Sequence, residues 1–152
     1  MAGASPKITG TVGVAKKVAI ISAQWHPEIC EALVSGAKRA LVESQVKKIK
    51  VAYVPGSFEL PLAAQYLLEK GYEAAIVVGL VLRGETPHFD YVCQGVTAGV
   101  MQVQLDLGKP IGFGVLMCDN LEQAVARAGM PGSFEDKGYD AAKAELATLA
   151  LK

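Results

Sequence analysis

An excess of either charge is missing: the 152-residue chain carries 15 basic and 15 acidic residues, for a formal charge of zero. That balance removes the electrostatic footprint expected of a nucleic-acid binder or of a protein held on an anionic membrane. Long apolar runs are missing too. The longest, Ala74 to Leu82, is about half of the ~20 residues that a spanning helix requires, so the chain reads as soluble. Cysteine is scarce. Cys30, Cys93 and Cys118 are odd in number, far apart and in no CxxC or Cys/His spacing, which argues against a zinc site or a disulfide framework and reads as reduced core cysteines of a cytoplasmic protein. The opening MAGASPKITGTVGVAKK has neither the apolar core of a signal peptide nor the arginine bias of a transit peptide, so residues 1–15 read as a loose leader on a single domain spanning 1–152. Aromatic residues make up only 7 % of the chain, with one tryptophan, which makes their positions informative.

What is present is a core. Apolar residues make up 51 % of the sequence, enough for one globular domain of this length to bury a substantial interior. Short apolar runs alternate with stretches of helical period, the pattern of a βαβα chain. Residues 16–22 read as a strand, and 27–44 as a helix with Pro27 at its start and Ile29, Leu33, Ala37, Ala40 and Leu41 on one face. A strand over 48–54 leads to a helix over LPLAAQYLLEK, which Gly71 ends. The run AAIVVGLVL, 74–82, lacks alternation, as a strand buried on both faces should. A long helix follows from His88 to about Leu107, then a strand over 110–118. Two helices close the chain, NLEQAVARAG with Asn120 as N-cap and DKGYDAAKAELATLAL. This order predicts a three-layer α/β/α sandwich of flavodoxin-like type around a four-stranded parallel sheet, with its site outside the carboxyl ends of the strands.

RGETPHFDYV, residues 83–92, falls at such an end. Its turn runs into a helix N-terminus, where backbone N–H groups and the helix dipole can receive an anion. Gly84 lets backbone approach a ligand, Thr86 adds a hydroxyl, and His88 is a group able to exchange a proton near neutral pH. A second reading stays open: TPHFD is also a plain helix start, with Thr86 capping and Asp90 offsetting the dipole. Other strand ends add Trp25 in SAQWH, Phe58 and Glu59 in VPGSFELP, and Cys118 and Asp119 after Phe113 and Leu116, with Arg127 two turns into the next helix and Lys137 beyond. Each also has a plain reading, as core caps for the aromatics, a dipole partner for Glu59 and solvated charges for Arg127 and Lys137. His26, between Trp25 and Pro27, reads as a turn residue rather than a catalyst. Taken together, aromatics, an acid, an imidazole and an anion-binding turn suit a flat polar ring, a polyol tail and a phosphate.

VPGSFELP, GLVLRGETPHFDYV, PIGFGVL, LEQAVARAG and EDKG, in this order and spacing, closely resemble the 6,7-dimethyl-8-ribityllumazine synthases of riboflavin biosynthesis, over the chain from about Lys17 to its end. The resemblance implies an enzyme that condenses 5-amino-6-(D-ribitylamino)uracil with 3,4-dihydroxy-2-butanone 4-phosphate, releasing phosphate and water, without metal or organic cofactor. It implies that Trp25 stacks on the pyrimidine, that Ser57, Phe58 and Glu59 hold the ribitylamino part, and that Leu80, Val81 and Leu82 line the same pocket. It places the phosphate at Gly84, Glu85 and Thr86, through backbone N–H groups, and makes His88 the proton-transfer residue. Phe113 and Lys137 complete the pyrimidine pocket and Arg127 pairs with the phosphate, all three from a neighbouring subunit.

The resemblance further implies a homo-oligomer, either a pentamer with shared sites or a 60-subunit shell, and an association with riboflavin synthase. Ser57 stands where many members have alanine, MCDN replaces a threonine-containing turn, and the stretch between Arg127 and Lys137 is longer than in shell-forming members. The last departure favours an isolated pentamer. A flavin or phosphometabolite binder without turnover, or a shell scaffold, are the alternative functions for such a chain.

Overall fold

The computed structural model describes residues 3–8, 15 and 17–152. Of the expected leader, residues 1, 2 and 9–14 lie outside the described residues, as does Lys16 at the start of the first expected strand. The elements are β1 (Lys17–Ala23), α1 (Pro27–Glu43), β2 (Lys48–Val54), a single 3-10 turn (Ser57–Glu59), α2 (Leu60–Glu69), β3 (Ala74–Leu82), α3 (His88–Leu107), β4 (Ile111–Cys118), α4 (Leu121–Val125) and α5 (Lys137–Leu149).

The strands form one four-stranded sheet in the order β2-β1-β3-β4, and every pairing is parallel. Successive residues of a strand face opposite sides, so the central strands feed two cores. Ile20, Ile76, Val78 and Leu116 pack with Ile29, Leu33 and Leu41 of α1 and Leu146 of α5. Ile21, Ala75, Val77 and Val115 pack with Leu60, Ala64 and Leu68 of α2 and Val96 and Val100 of α3. The unbroken apolar run of β3 is thereby explained, since its first seven residues are all buried. Each buried isoleucine in these layers is worth about 2–5 kcal/mol against alanine. At the edge, β2 is more exposed and carries Lys48 and Lys50 on its solvent side, charges that discourage pairing with another sheet.

Helix ends follow local chemistry. Asn120 Oδ1 accepts from Gln123 N–H at 2.9 Å and Asp136 Oδ1 from Tyr139 N–H at 3.2 Å, capping α4 and α5. Gly108, with φ +61°, turns the chain out of α3 in a left-handed cap. α5 lies against α1 so closely that a Cβ on Gly138 would collide with the Leu33 carbonyl.

The expected helix over NLEQAVARAG is cut short. α4 ends at Val125 because the Ala126 carbonyl accepts from Phe134 and Glu135 N–H at 2.9 and 3.0 Å, and the Arg127 carbonyl from Lys137 N–H at 2.9 Å. The chain instead doubles back, pairing Ala128 with Asp136 in an antiparallel bridge. Arg127 therefore stands in a turn, not two turns into a helix.

Candidate active site

At the carboxyl ends of β1, β2 and β3 the chain opens a crevice of about 670 Å³. β1 delivers Trp25 and His26 to it, the loop after β2 delivers Pro55 to Glu59, β3 gives Leu80, Val81 and Leu82, and α3 gives His88 with Val92 one turn on. Two aromatic rings stand open here, Trp25 67 % and Phe58 60 % exposed. Large apolar surfaces left in water around a concavity mark a binding site rather than a core cap.

The rims are held by short-range bonds. Glu59 Oε2 accepts from Gly56 N–H at 2.9 Å, which closes the turn and leaves the rest of the carboxylate free. The Trp25 indole lies beside Gly56, its Cδ1 and Nε1 3.4 Å from where a Cβ would stand, and Phe58 lies over Gly95 of α3. The Trp25 carbonyl accepts from the Cys30 thiol at 3.0 Å. Burial pushes that thiol up to about 11, so it stays protonated. Cys93 and Cys118 are likewise raised by burial, and all three cysteines are free. Ser57 is 5 % exposed, and its hydroxyl, tucked toward Gly79, has no hydrogen-bond partner among the described residues.

Beside the crevice, the turn after β3 is anchored through Arg83. Its N–H donates to the Cys118 carbonyl at 2.9 Å, its Nε to Asp119 at 2.7 Å, its other arm lies 3.6 Å from Asp90, and its guanidinium stacks 4.3 Å over Phe89. Bonding to Asp119 holds its pKa above the usual arginine range. These contacts make Arg83 a strut that ties the turn to Asp119. Gly84, Glu85 and Thr86 are exposed, and among the described residues nothing accepts from their backbone N–H groups. Thr86 Oγ1 accepts from His88 N–H at 3.4 Å.

Three expected site residues stand elsewhere. Phe113, 39 % exposed, pairs with Val77 within the sheet. Arg127 donates to the Gln123 carbonyl at 2.9 Å and lies 3.8 Å from Glu135, which also faces Lys137 at 3.4 Å. Lys137 Nζ reaches Ser5 Oγ at 2.9 Å. None of the three lines the crevice, whose walls contain no lysine or arginine. Conversely, His26, Pro55, Gly56 and Val92 line it without having been assigned to the site. Val92, four positions after His88 on one helix face, carried a readable signal; His26 did not. Among the described residues no three His, Cys, Asp or Glu side chains converge as metal donors, and no helix is long and apolar enough to cross a membrane.

A family model described as 6,7-dimethyl-8-ribityllumazine synthase matches residues 15–152. Proteins of that name from Streptomyces avermitilis and Streptomyces coelicolor are each 54 % identical over 134 residues, covering 88 % of this chain and 83 % of theirs. One from Cutibacterium acnes is 48 % identical over 145 residues, 95 % of this chain and 87 % of its own.

Proposed function

The chain belongs to the 6,7-dimethyl-8-ribityllumazine synthase family and is a transferase of riboflavin biosynthesis, and from that premise we propose that the crevice is where its two substrates condense. The primary amine of 5-amino-6-(D-ribitylamino)uracil attacks the ketone of 3,4-dihydroxy-2-butanone 4-phosphate and water leaves to give an imine. Phosphate is then eliminated. The enol tautomerises to a ketone, and the ribitylamino nitrogen closes on it with loss of a second water.

The observation that carries this reading is the convergence of an open indole, an open phenyl, a partly free carboxylate and an imidazole on one crevice. Trp25 offers a face to the pyrimidine, and Phe58 and the apolar β3 end flank it. Glu59 accepts from ribityl hydroxyls, and the Ser57 segment contributes backbone. The open N–H groups of Gly84, Glu85 and Thr86 receive the phosphate, which accounts for a glutamate beside an anion. His88, at the start of α3, moves protons. Holding two substrates in register supplies most of the acceleration.

The phosphate is a dianion, yet among the described residues no lysine or arginine of the same chain lines the crevice. Arg127, with Phe113 and Lys137, therefore comes from a neighbouring copy, in a cytoplasmic ring of five. Exposed apolar side chains at Tyr91, Phe113, Leu121 and Phe134 give such a neighbour a surface to cover, and the free thiols suit a reducing compartment.

Mixing the protein with both substrates and following the lumazine's absorbance and fluorescence tests the reading. We expect phosphate-releasing condensation that persists in chelator. Turnover lost to chelation and restored by a divalent ion would overturn the cofactor-free form. His88→Ala should slow turnover by about 10²-fold, the lower end of general acid–base contributions, with little change in pyrimidine binding. A variant that binds both substrates and is wholly inactive would give the imidazole a larger part than positioning leaves it.

A further inference from the structure

His26 has a backbone that histidine adopts only at a cost. Its φ of 53° and ψ of 69° place it in the left-handed region, where residues with a Cβ are crowded and glycine is not. The conformation is imposed from outside: Pro27 follows it, and its carbonyl accepts from Ile29 and Cys30 N–H at 3.0 and 3.1 Å. The imidazole gives nothing back locally. At the starts of α4 and α5 the residues Asn120 and Asp136 cap with their side chains, whereas His26 makes no side-chain cap bond. Instead it lines the crevice, one residue from the Trp25 indole. Strain kept at a position where glycine would fit freely, in a residue that lines the crevice and spends no side-chain bond on capping its helix, points to use of the side chain.

The condensation has a place for it. Two nitrogens attack two carbonyl carbons, and in each first-formed adduct the nitrogen must shed a proton and the alkoxide oxygen gain one to give the neutral carbinolamine from which water departs. His88 lies next to the phosphate turn. Building on the function proposed above, we propose that His26 is a second catalytic imidazole, serving the pyrimidine's nitrogens. Its ring takes the proton shed by the attacking amine as the carbon–nitrogen bond forms. The same proton passes to the alkoxide oxygen to give the carbinolamine hydroxyl, so the ring ends as it began. The ionisable groups around it are Glu59 and His88 on the crevice walls, Glu28 in the first turn of α1 and the protonated Cys30 thiol beneath.

Two variants separate the backbone from the ring. His26→Gly relieves the left-handed strain and removes the imidazole, and His26→Asn keeps a side chain that tolerates this conformation and forms hydrogen bonds but does not titrate. Both should melt no lower than wild type and lose about 10²-fold in kcat, while KM for each substrate stays close to its wild-type value. Added imidazole should restore part of the glycine variant's rate, and the kcat–pH profile of both variants should lose one ionisation seen in wild type. Should the glycine variant fail to fold, the asparagine variant carries the test alone. Full turnover in His26→Asn would overturn the proton-transfer role. Full turnover in both variants would reduce His26 to a turn residue while leaving the assigned reaction standing. An inactive wild type would instead overturn that reaction, and this role with it.

Discussion

Inside α5 the carboxyl of Glu145 is 2 % exposed, and among the described residues neither of its oxygens finds a hydrogen-bond partner. Desolvation, and then the nearby charge of Glu73, holds its pKa well above the usual value of 4.5. In the unfolded chain the group ionises normally, so between about 4.5 and the raised folded value the native state binds the extra proton, and stability falls as pH rises through that window. Glu145→Met, which fills similar space with an unbranched apolar chain, should therefore raise stability at neutral pH by about 1–3 kcal/mol. The gain should shrink as pH is lowered toward the unfolded value, and urea unfolding across the pH series checks it. A gain that grows on acidification would reverse the assignment. Ser57 is a smaller case of the same orphaned polarity. Ser57→Ala should leave turnover unchanged and add about 1 kcal/mol, read as a higher urea midpoint at constant slope; a sharp loss of activity would mean that the hydroxyl, and not the backbone, serves the substrate. Neither orphan is legible in sequence, because Glu145 reads as an ordinary helix position until α5 docks on β4, where its Cβ lies beside Gly112.

At the scale of elements, legibility follows how local the cause is. The continuous run of β3, the proline at the start of α1, the Asn120 cap and the end of α3 at Leu107 all depend on neighbours in sequence, and they stand where expected. The early end of α4 does not, because the N–H groups that take the Ala126 carbonyl belong to Phe134 and Glu135 on the returning chain. Phe113 stands within its strand as expected, but its register opposite Val77 is decided by the partner strand. His26 stands in a turn as expected, but only the packed structure puts it on the crevice wall. These placements divide the crevice by element. The β1 and β2 loops present flat and hydroxyl-accepting groups, while the turn before α3 presents N–H donors and awaits a cation. Arg127→Ala should accordingly raise KM for the butanone phosphate far more than for the pyrimidine, since a dianion needs a fork. Trp25→Ala should do the reverse, because a ring needs a face. Steady-state titration of each substrate decides the matter, and equal effects on both from either change would break this division.

For the whole molecule, the function proposed above makes complementary halves of the crevice, whose walls among the described residues include no lysine or arginine, and of Arg127, which does not line it. A ring joined by one repeated heterologous contact brings one copy's His88 to the next copy's Arg127 at every interface. The stretch GMPGSFED between Arg127 and Lys137, which carries Phe134 at 92 % exposure, is long enough to alter how rings meet one another. For that reason an isolated pentamer is favoured over a closed shell. The shared site makes an arithmetic demand. If His88→Ala and Arg127→Ala chains are unfolded, mixed equally and reassembled at random, about a quarter of the interfaces pair two intact halves, so activity should rise well above the mean of the separate variants. Activity at that mean would show that each site belongs to one chain. Light scattering on the wild type probes ring size independently of that result: a particle near sixty subunits would remove the isolated pentamer and leave the shared site intact, whereas a monomer with full turnover would remove both.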